Sequence, residues 1–250
     1  MATYSYWEPA IAEGGEKVVY RGRQDQTGNL VAIKFLKRPF GLQDRLHFSR
    51  EVERAVAGKD AGIAQIIDFN LEWDPPFYVE EFFPNGTLAE RMARAFAAGR
   101  VFTAGASLHW IRQILTQLAG LHDRNIIHRD IKPPNLLMRG DDVVLGDLGI
   151  GRTANRPTLL QTRAFVGTRG YASPEQELGS RVDRRSDLYS VGVVLHELLT
   201  GRRGGHDALD YNGRHDVRQL LAWLLAYQPA RRPADCRPVL GLVQRLLAAT

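Results

Sequence analysis

Two short runs constrain this chain more than anything else in it. Residues 128–137 read His-Arg-Asp-Ile-Lys-Pro-Pro-Asn-Leu-Leu, and Asp147-Leu148-Gly149 begins ten residues after the first run ends. Asp130 is a carboxylate able to receive a hydroxyl proton, and Asn135 and Asp147 are oxygen ligands suited to a hard divalent cation such as Mg²⁺. Either run alone could arise by chance. Both together, in this order and at this separation, point to one site that the fold must assemble.

The pattern around the runs divides the chain into two parts. Val18-Val19-Tyr20 and Leu30-Val31-Ala32-Ile33-Lys34-Phe35 flank a Thr27-Gly28-Asn29 turn and predict a hairpin. Ile63 to Phe69 and Phe77 to Phe83 are further strand candidates, and Leu42, Leu46, Val52 and Val56 predict a helix over about 42–57. From Ser107 the pattern turns helical, with Ile111, Ile114, Leu115, Leu118 and Leu121 on one face. Further helices are expected at about 186–200, 216–226 and 238–248, and Phe83-Pro84-Asn85-Gly86 reads as the linker between the two parts.

A chain of 250 residues can bury a substantial core. No apolar run approaches the roughly 20 residues of a membrane span, and the N-terminus has no pattern of a signal peptide. The single Cys236 excludes an internal disulfide and fits a reducing, cytoplasmic setting. The net charge of +5 permits acidic partners. Its basic residues are scattered, with only short pairs such as Arg202-Arg203 and Arg231-Arg232, so a solvated basic surface is expected rather than nucleic-acid binding.

From about residue 8 to the end, the chain resembles eukaryotic-type protein Ser/Thr kinases in their bacterial form. The resemblance implies an α+β, bilobal fold across a single domain, 1–250. A small β-rich N-lobe with a five-stranded sheet and one helix would cover about 1–83, the hinge about 81–87, and a larger, mainly helical C-lobe about 88–250. It implies ATP and Mg²⁺ (or Mn²⁺) as cofactors and a protein substrate. Asp130 would be the catalytic base, or the group that orients the substrate hydroxyl, with Lys132 beside the transferred phosphate and Thr168 orienting the hydroxyl. Lys132 is also what Ser/Thr-specific members carry. Asn135 and Asp147 would hold the metal.

Val31-Ala32-Ile33-Lys34 matches the strand whose Lys contacts the α- and β-phosphates, and Glu51 is its expected helix partner, ahead of Glu53. Ile11, Gly14, Val19, Ala32, Glu81, Phe83 and Leu137 complete the implied nucleotide site, with backbone groups near Glu81 and Phe83 binding the adenine. His128 is a structural residue beneath the loop, Glu175 is expected to pair with Arg232, and Asp187 to cap the catalytic loop from below. Arg129 would await a phosphate on the activation segment, at Thr162 first and Thr158 second.

The chain departs from the family pattern in four places. The glycine-rich loop aligns with Ala12-Glu13-Gly14-Gly15-Glu16-Lys17-Val18-Val19, where only the middle glycine of the pattern, Gly14, survives. Lys17 would supply a charge in place of the lost backbone contact, with Glu16 opposing it. Glu80 stands just before the hinge, where a buried carboxylate needs a basic partner or a proton. Leu148 replaces the usual Phe and can fill its packing role. The stretch from 201 to 216 lacks the family's extra helix, which should bare apolar surface for a protein partner or self-association. No sensor, anchor or regulatory segment is expected after the last helix. The leading reading is a protein Ser/Thr kinase. A pseudokinase or weakly active kinase serving as a nucleotide-dependent binding module, and a small-molecule kinase of the same fold, are the alternatives.

Overall fold

A computed structural model of the chain describes residues 3–148, 170–205 and 210–249. Six strands, β1 (Tyr4–Tyr6), β2 (Ala12–Glu13), β3 (Lys17–Gln24), β4 (Leu30–Leu36), β5 (Ile66–Asn70) and β6 (Phe77–Glu81), form one antiparallel sheet. Its order is β1-β3-β4-β6-β5, with β2 added on β3. The sheet thus has six strands rather than the expected five. β1 and β2 are three and two residues long, too short for an alternating pattern to register in the sequence. The β3–β4 turn forms where Thr27-Gly28-Asn29 predicts it, with Gly28 at φ 75°.

Alternation along these strands sorts their side chains onto two faces. Val31, Ile33 and Val79 pack on one, with Tyr4, Phe35 and Phe77 against them. Leu36 and Tyr78 lie on the other, where helix α1 (Leu42–Ala57) docks through Phe48 and Val52. Of the four apolar residues that predict α1, only Val52 faces the sheet. Leu42, Leu46 and Val56 are exposed, while Phe48, Glu51 and Val52 are buried. The small sheet covers only one stripe of the helix, and that stripe includes a carboxylate.

The second part is mainly helical: α2 (Leu88–Ala97), α3 (Ala104–Asp123), the short α4 (Pro174–Glu177), α5 (Arg184–Thr200), α6 (His215–Leu224) and α7 (Cys236–Ala248). Sequence reasoning missed α2, although Leu88, Met92 and Phe96 lie on one face of it against the main core and a capping box starts it. The Thr87 hydroxyl accepts from Glu90 N, and Glu90 accepts from Thr87 N, each at 3.2 Å. α3 starts at Ala104 rather than Ser107 because Thr103 caps it. Its face of Ile111, Ile114, Leu115, Leu118 and Leu121 is buried, as the periodicity predicts, with Leu188, Val191, Leu195 and Leu198 of α5. Each such side chain contributes about 1.5–3 kcal/mol relative to exposure. A two-stranded hairpin, β7 (Leu136–Arg139) and β8 (Asp142–Leu145), lies on α3 through Gln117, whose amide bonds the Val143 carbonyl and the Leu145 N–H.

The expected bare surface beside 201–216 is not found. Among the described residues, α5 and α6 expose none of their large apolar side chains. His196 of α5 is buried and anchors the returning segment, bonding Asp210 at 2.7 Å and the Arg202 carbonyl at 3.0 Å, while Tyr211 packs on the core. The short connection covers α5 itself. No helix among the described residues is long and apolar enough to cross a membrane.

Candidate active site

The first of the two runs folds around its own backbone. The Asn135 amide donates to both the carbonyl and the carboxylate of Asp130, each at 2.8 Å, and Lys132 Nζ lies 2.8 Å from the same carboxylate. The Pro133-Pro134-Asn135 turn brings these residues together within six positions. Arg129 adopts φ 69°, a left-handed conformation a non-glycine residue holds only when its surroundings require it. Those surroundings are fixed by Asp187 of α5, which accepts from the His128 and Arg129 backbone N–H groups at 2.9 and 2.8 Å. His122 of α3 bonds the same carboxylate at 2.8 Å, a partner for which the sequence offers no motif. The buried His128 ring faces the Gly146 carbonyl through Nε2 at 3.1 Å, which ties the catalytic loop to the segment carrying Asp147.

The β7–β8 hairpin brings the second run to the first. Leu136 pairs with Leu145, so Asn135 and Asp147 flank its open end, and Gly146 N donates to Asn135 O at 2.9 Å. The two oxygen ligands are therefore placed side by side by a local turn. Leu148 is buried in the main core. A hard divalent cation fits this donor set. Both Asn135 amide N–H bonds go to Asp130, so its oxygen is the end left for a ligand. The Asp147 carboxyl would be raised by burial, but Lys17 and Lys34 outweigh this and hold it well below the usual range, as an anion.

Around Asp147 the ion pairs differ from those expected. Lys34 does not pair with Glu51. Its ammonium lies 2.7 Å from Glu80 and 2.7 Å from Asp147. Glu51 instead accepts a short charged hydrogen bond from Lys17, whose ammonium is also 3.0 Å from Asp147. The Tyr78 hydroxyl lies at the centre, 2.9 Å from Glu51 and 3.1 Å from Asp147, and both ammonium groups lie over its ring. Strand register accounts for the arrangement. Lys17 pairs with Leu36, Val19 with Lys34, Lys34 with Tyr78 and Ala32 with Glu80. Cross-strand partners share a face, as do residues two apart on one strand. Lys17, Lys34, Tyr78 and Glu80 therefore share the face that α1 covers. Sequence reasoning missed Tyr78 and the inward turn of Lys17, although the register of the legible hairpin carries the signal for Lys17.

Glu80 thus has a basic partner, Lys34. Three carboxylates, Glu51, Glu80 and Asp147, face the two ammonium groups. Burial would lower both lysines, but the carboxylates outweigh it and raise them. The Glu80 carboxyl is raised, by burial first, against the pull of Lys34.

The remaining expected residues take these places. Arg232 and Glu175 form a bidentate pair at 2.6 and 2.9 Å, with Ser186 donating to the same carboxylate at 2.5 Å. The Arg129 Nε is buried with no hydrogen-bond partner among the described residues. Ala32 is buried and Ile11 exposed, while Phe83 and Leu137 pack with Ala64 and Val144. The Phe83 carbonyl accepts from Gly86 N, and its own N–H makes no backbone bond among the described residues. Glu81 pairs with Arg139 at 2.6 Å. Gly14 closes the β2–β3 turn, donating to the Lys17 carbonyl at 2.9 Å. Thr158, Thr162 and Thr168 lie outside the described residues.

The protein kinase domain family matches residues 8–220. A probable serine/threonine-protein kinase of Clostridium acetobutylicum is 33% identical over 198 residues, 78% of this chain and 30% of that protein. The serine/threonine-protein kinase PknL of Mycobacterium tuberculosis is 36% identical over 194 residues, 76% of this chain and 48% of that protein. The serine/threonine-protein kinase pkn2 of Myxococcus xanthus is 34% identical over 201 residues, 77% of this chain and 24% of that protein. The chain therefore spans between a quarter and a half of the length of these relatives.

Proposed function

Because the chain belongs to the protein kinase family, we propose that it transfers the γ-phosphate of ATP to serine or threonine hydroxyls of a protein substrate. The observation that carries this reading is the Asp130 carboxylate, held by Asn135 and Lys132, with the β7–β8 hairpin setting Asn135 beside an anionic Asp147. Phosphoryl transfer asks mainly for positioning and charge neutralisation, and these groups supply both. Asp130 orients the substrate hydroxyl and receives its proton. Lys132, 2.8 Å away, offsets charge on the group being transferred. Asn135 and Asp147 would hold Mg²⁺ or Mn²⁺, which when bound neutralises charge on the nucleotide phosphates.

The adenine would lie between Ala32 and Leu137, with Ile11 and Val19 above it and the backbone of Glu81 and Phe83 at its edge. The proposed domain is 1–250, with lobes of about 1–83 and 88–250 joined by a hinge at about 81–87. Arg129 is the proposed receiver of a phosphate on Thr162 or Thr158, since its buried Nε is without a partner among the described residues. Cys236 is buried, its thiol pushed up by burial, which fits a reducing, cytoplasmic setting.

Phosphate transfer from labelled ATP, to the protein itself and to a generic basic protein, tests the reading. Wild type should transfer with Mg²⁺ or Mn²⁺. Asp130→Asn and Asp147→Asn should each lose about 10²–10⁴-fold of the rate. Phosphopeptide mapping after incubation should find Thr162 modified. A wild type that binds nucleotide without transfer would remove the catalytic reading.

A further inference from the structure

We propose that Lys17 is a second phosphate-contacting lysine of the nucleotide site, positioned by Glu51, and that Lys34 is positioned by Glu80 instead. The inference rests on the nucleotide-site reading above and assigns the residues that carry it.

Geometry is the first ground. Each lysine has a carboxylate of its own, Glu51 for Lys17 and Glu80 for Lys34, and they share only Asp147. Both ammonium groups approach Asp147, at 3.0 and 2.7 Å, so both reach the place where a metal-bound phosphate would sit. The Lys17 side chain keeps 17% of its surface exposed against 6% for Lys34. It is therefore the more accessible of the two, whereas a clamp joining strand to helix would need no such access.

Charge is the second ground. A divalent cation on Asp147 would take the shared carboxylate away from both lysines. Neither would be stranded, because two neutral pairs remain, Lys17 with Glu51 and Lys34 with Glu80. An ammonium has three donors, so each lysine keeps donors free for phosphate oxygens after bonding its own carboxylate. Glu80 in this role explains how a buried carboxylate is tolerated at the back of the pocket: it holds the cation that Glu51 has given up to Lys17.

The third ground is the loop ahead of Lys17. Only Gly14, Gly15 and Glu16 separate β2 from β3, and Glu16 offers no attraction to a phosphate. A lysine at the end of this turn returns the positive charge that the loop's backbone can no longer concentrate there.

Binding of Mg-ATP and of adenosine to wild type, Lys17→Met, Lys17→Arg and Glu51→Gln tests the assignment, with thermal unfolding of each variant as the fold control. Adenosine carries no phosphate, so it separates a phosphate contact from a structural role. Lys17→Met should weaken Mg-ATP about 10- to 100-fold, the cost of losing a charged hydrogen bond, and leave adenosine within threefold. Lys17→Arg, which keeps the charge, should recover part of the loss. Glu51→Gln should add little to Lys17→Met, since both act through one group, yet add fully to Lys34→Met.

Unchanged Mg-ATP binding by Lys17→Met, or an equal loss of adenosine, would overturn the proposal, as would additivity of Lys17→Met with Glu51→Gln. A wild type that binds no Mg-ATP would overturn it together with the kinase reading. A wild type that binds Mg-ATP through Lys17 but transfers nothing would remove the catalytic reading alone. Transfer by wild type and Lys17→Met alike, at equal Mg-ATP affinity, would remove this inference alone.

Discussion

The catalytic loop and the lysine cluster meet at Asp147 but are built in opposite ways. The loop draws Asp130, Lys132 and Asn135 from six consecutive positions. The buried Asp187 braces it from beneath, and Gln176, next to the buried Glu175–Arg232 pair, donates to the Arg129 carbonyl. The cluster draws residues 17, 34, 51, 78, 80 and 147 from three strands, a helix and a loop. The loop has one geometry that its own chain and a floor of hydrogen bonds enforce. The cluster has a surplus of carboxylates, so its pairing depends on which ammonium lies nearest. The site is thus rigid around Asp130 and open to rearrangement around Asp147.

The contrast predicts large stability losses below the loop and small ones in the cluster. Arg232→Ala should be the most damaging, since it strands Glu175 without its cation. It should cost about 3–5 kcal/mol in urea unfolding. The same variant carries a pH signature. Burial would raise the Glu175 carboxyl, but Arg232 and Ser186 outweigh it and lower it below its ordinary 4.5. A lowered carboxylate stabilises the fold above its unfolded value, and that stability is lost as pH falls through its folded value. Wild-type stability should therefore fall steeply on the acid side of about pH 4.5, and that limb should flatten in Arg232→Ala.

Asp187→Asn comes next, at about 2–3 kcal/mol, because one of its two backbone donors then faces an N–H instead of an oxygen. Equal unfolding midpoints for this variant and wild type would break the idea of a braced floor. Thr87→Ala removes a cap on α2 and should cost about 1 kcal/mol, a local loss that marks the scale of a contact far from the site. Glu80→Gln should change stability least, by about 1 kcal/mol or less. It leaves two carboxylates for two ammonium groups, and Lys34 keeps Asp147. A loss from Glu80→Gln as large as that from Arg232→Ala would mean that the cluster is as rigidly specified as the floor.

Much of this molecule was legible because its signals are local. The β3–β4 hairpin, α1 and the α3 face follow from turn chemistry and periodicity, and the Asp130–Asn135 geometry from a six-residue run. β1 and β2 were illegible because two or three residues carry no period. α2 was missed although it carries both a capping box and the Leu88-Met92-Phe96 stripe. The exposed Leu42, Leu46 and Val56 show why the buried stripe of α1 was misread. Hydrophobic spacing marks candidate stripes, but only the shape of the sheet selects one.

The sequence by itself determined the chemistry available: Asp130, Asn135 and Asp147 in two short runs, Lys17 and Lys34 on a hairpin, and Glu51 and Glu80 on the helix and strand that follow. The tertiary structure decided which lysine each carboxylate holds. The physical reason is that an ion pair follows distance and not order along the chain. The β3–β4–β6 register set Lys17 on the face of Lys34, and the docking of α1 set Glu51 against Lys17, leaving Lys34 to Glu80.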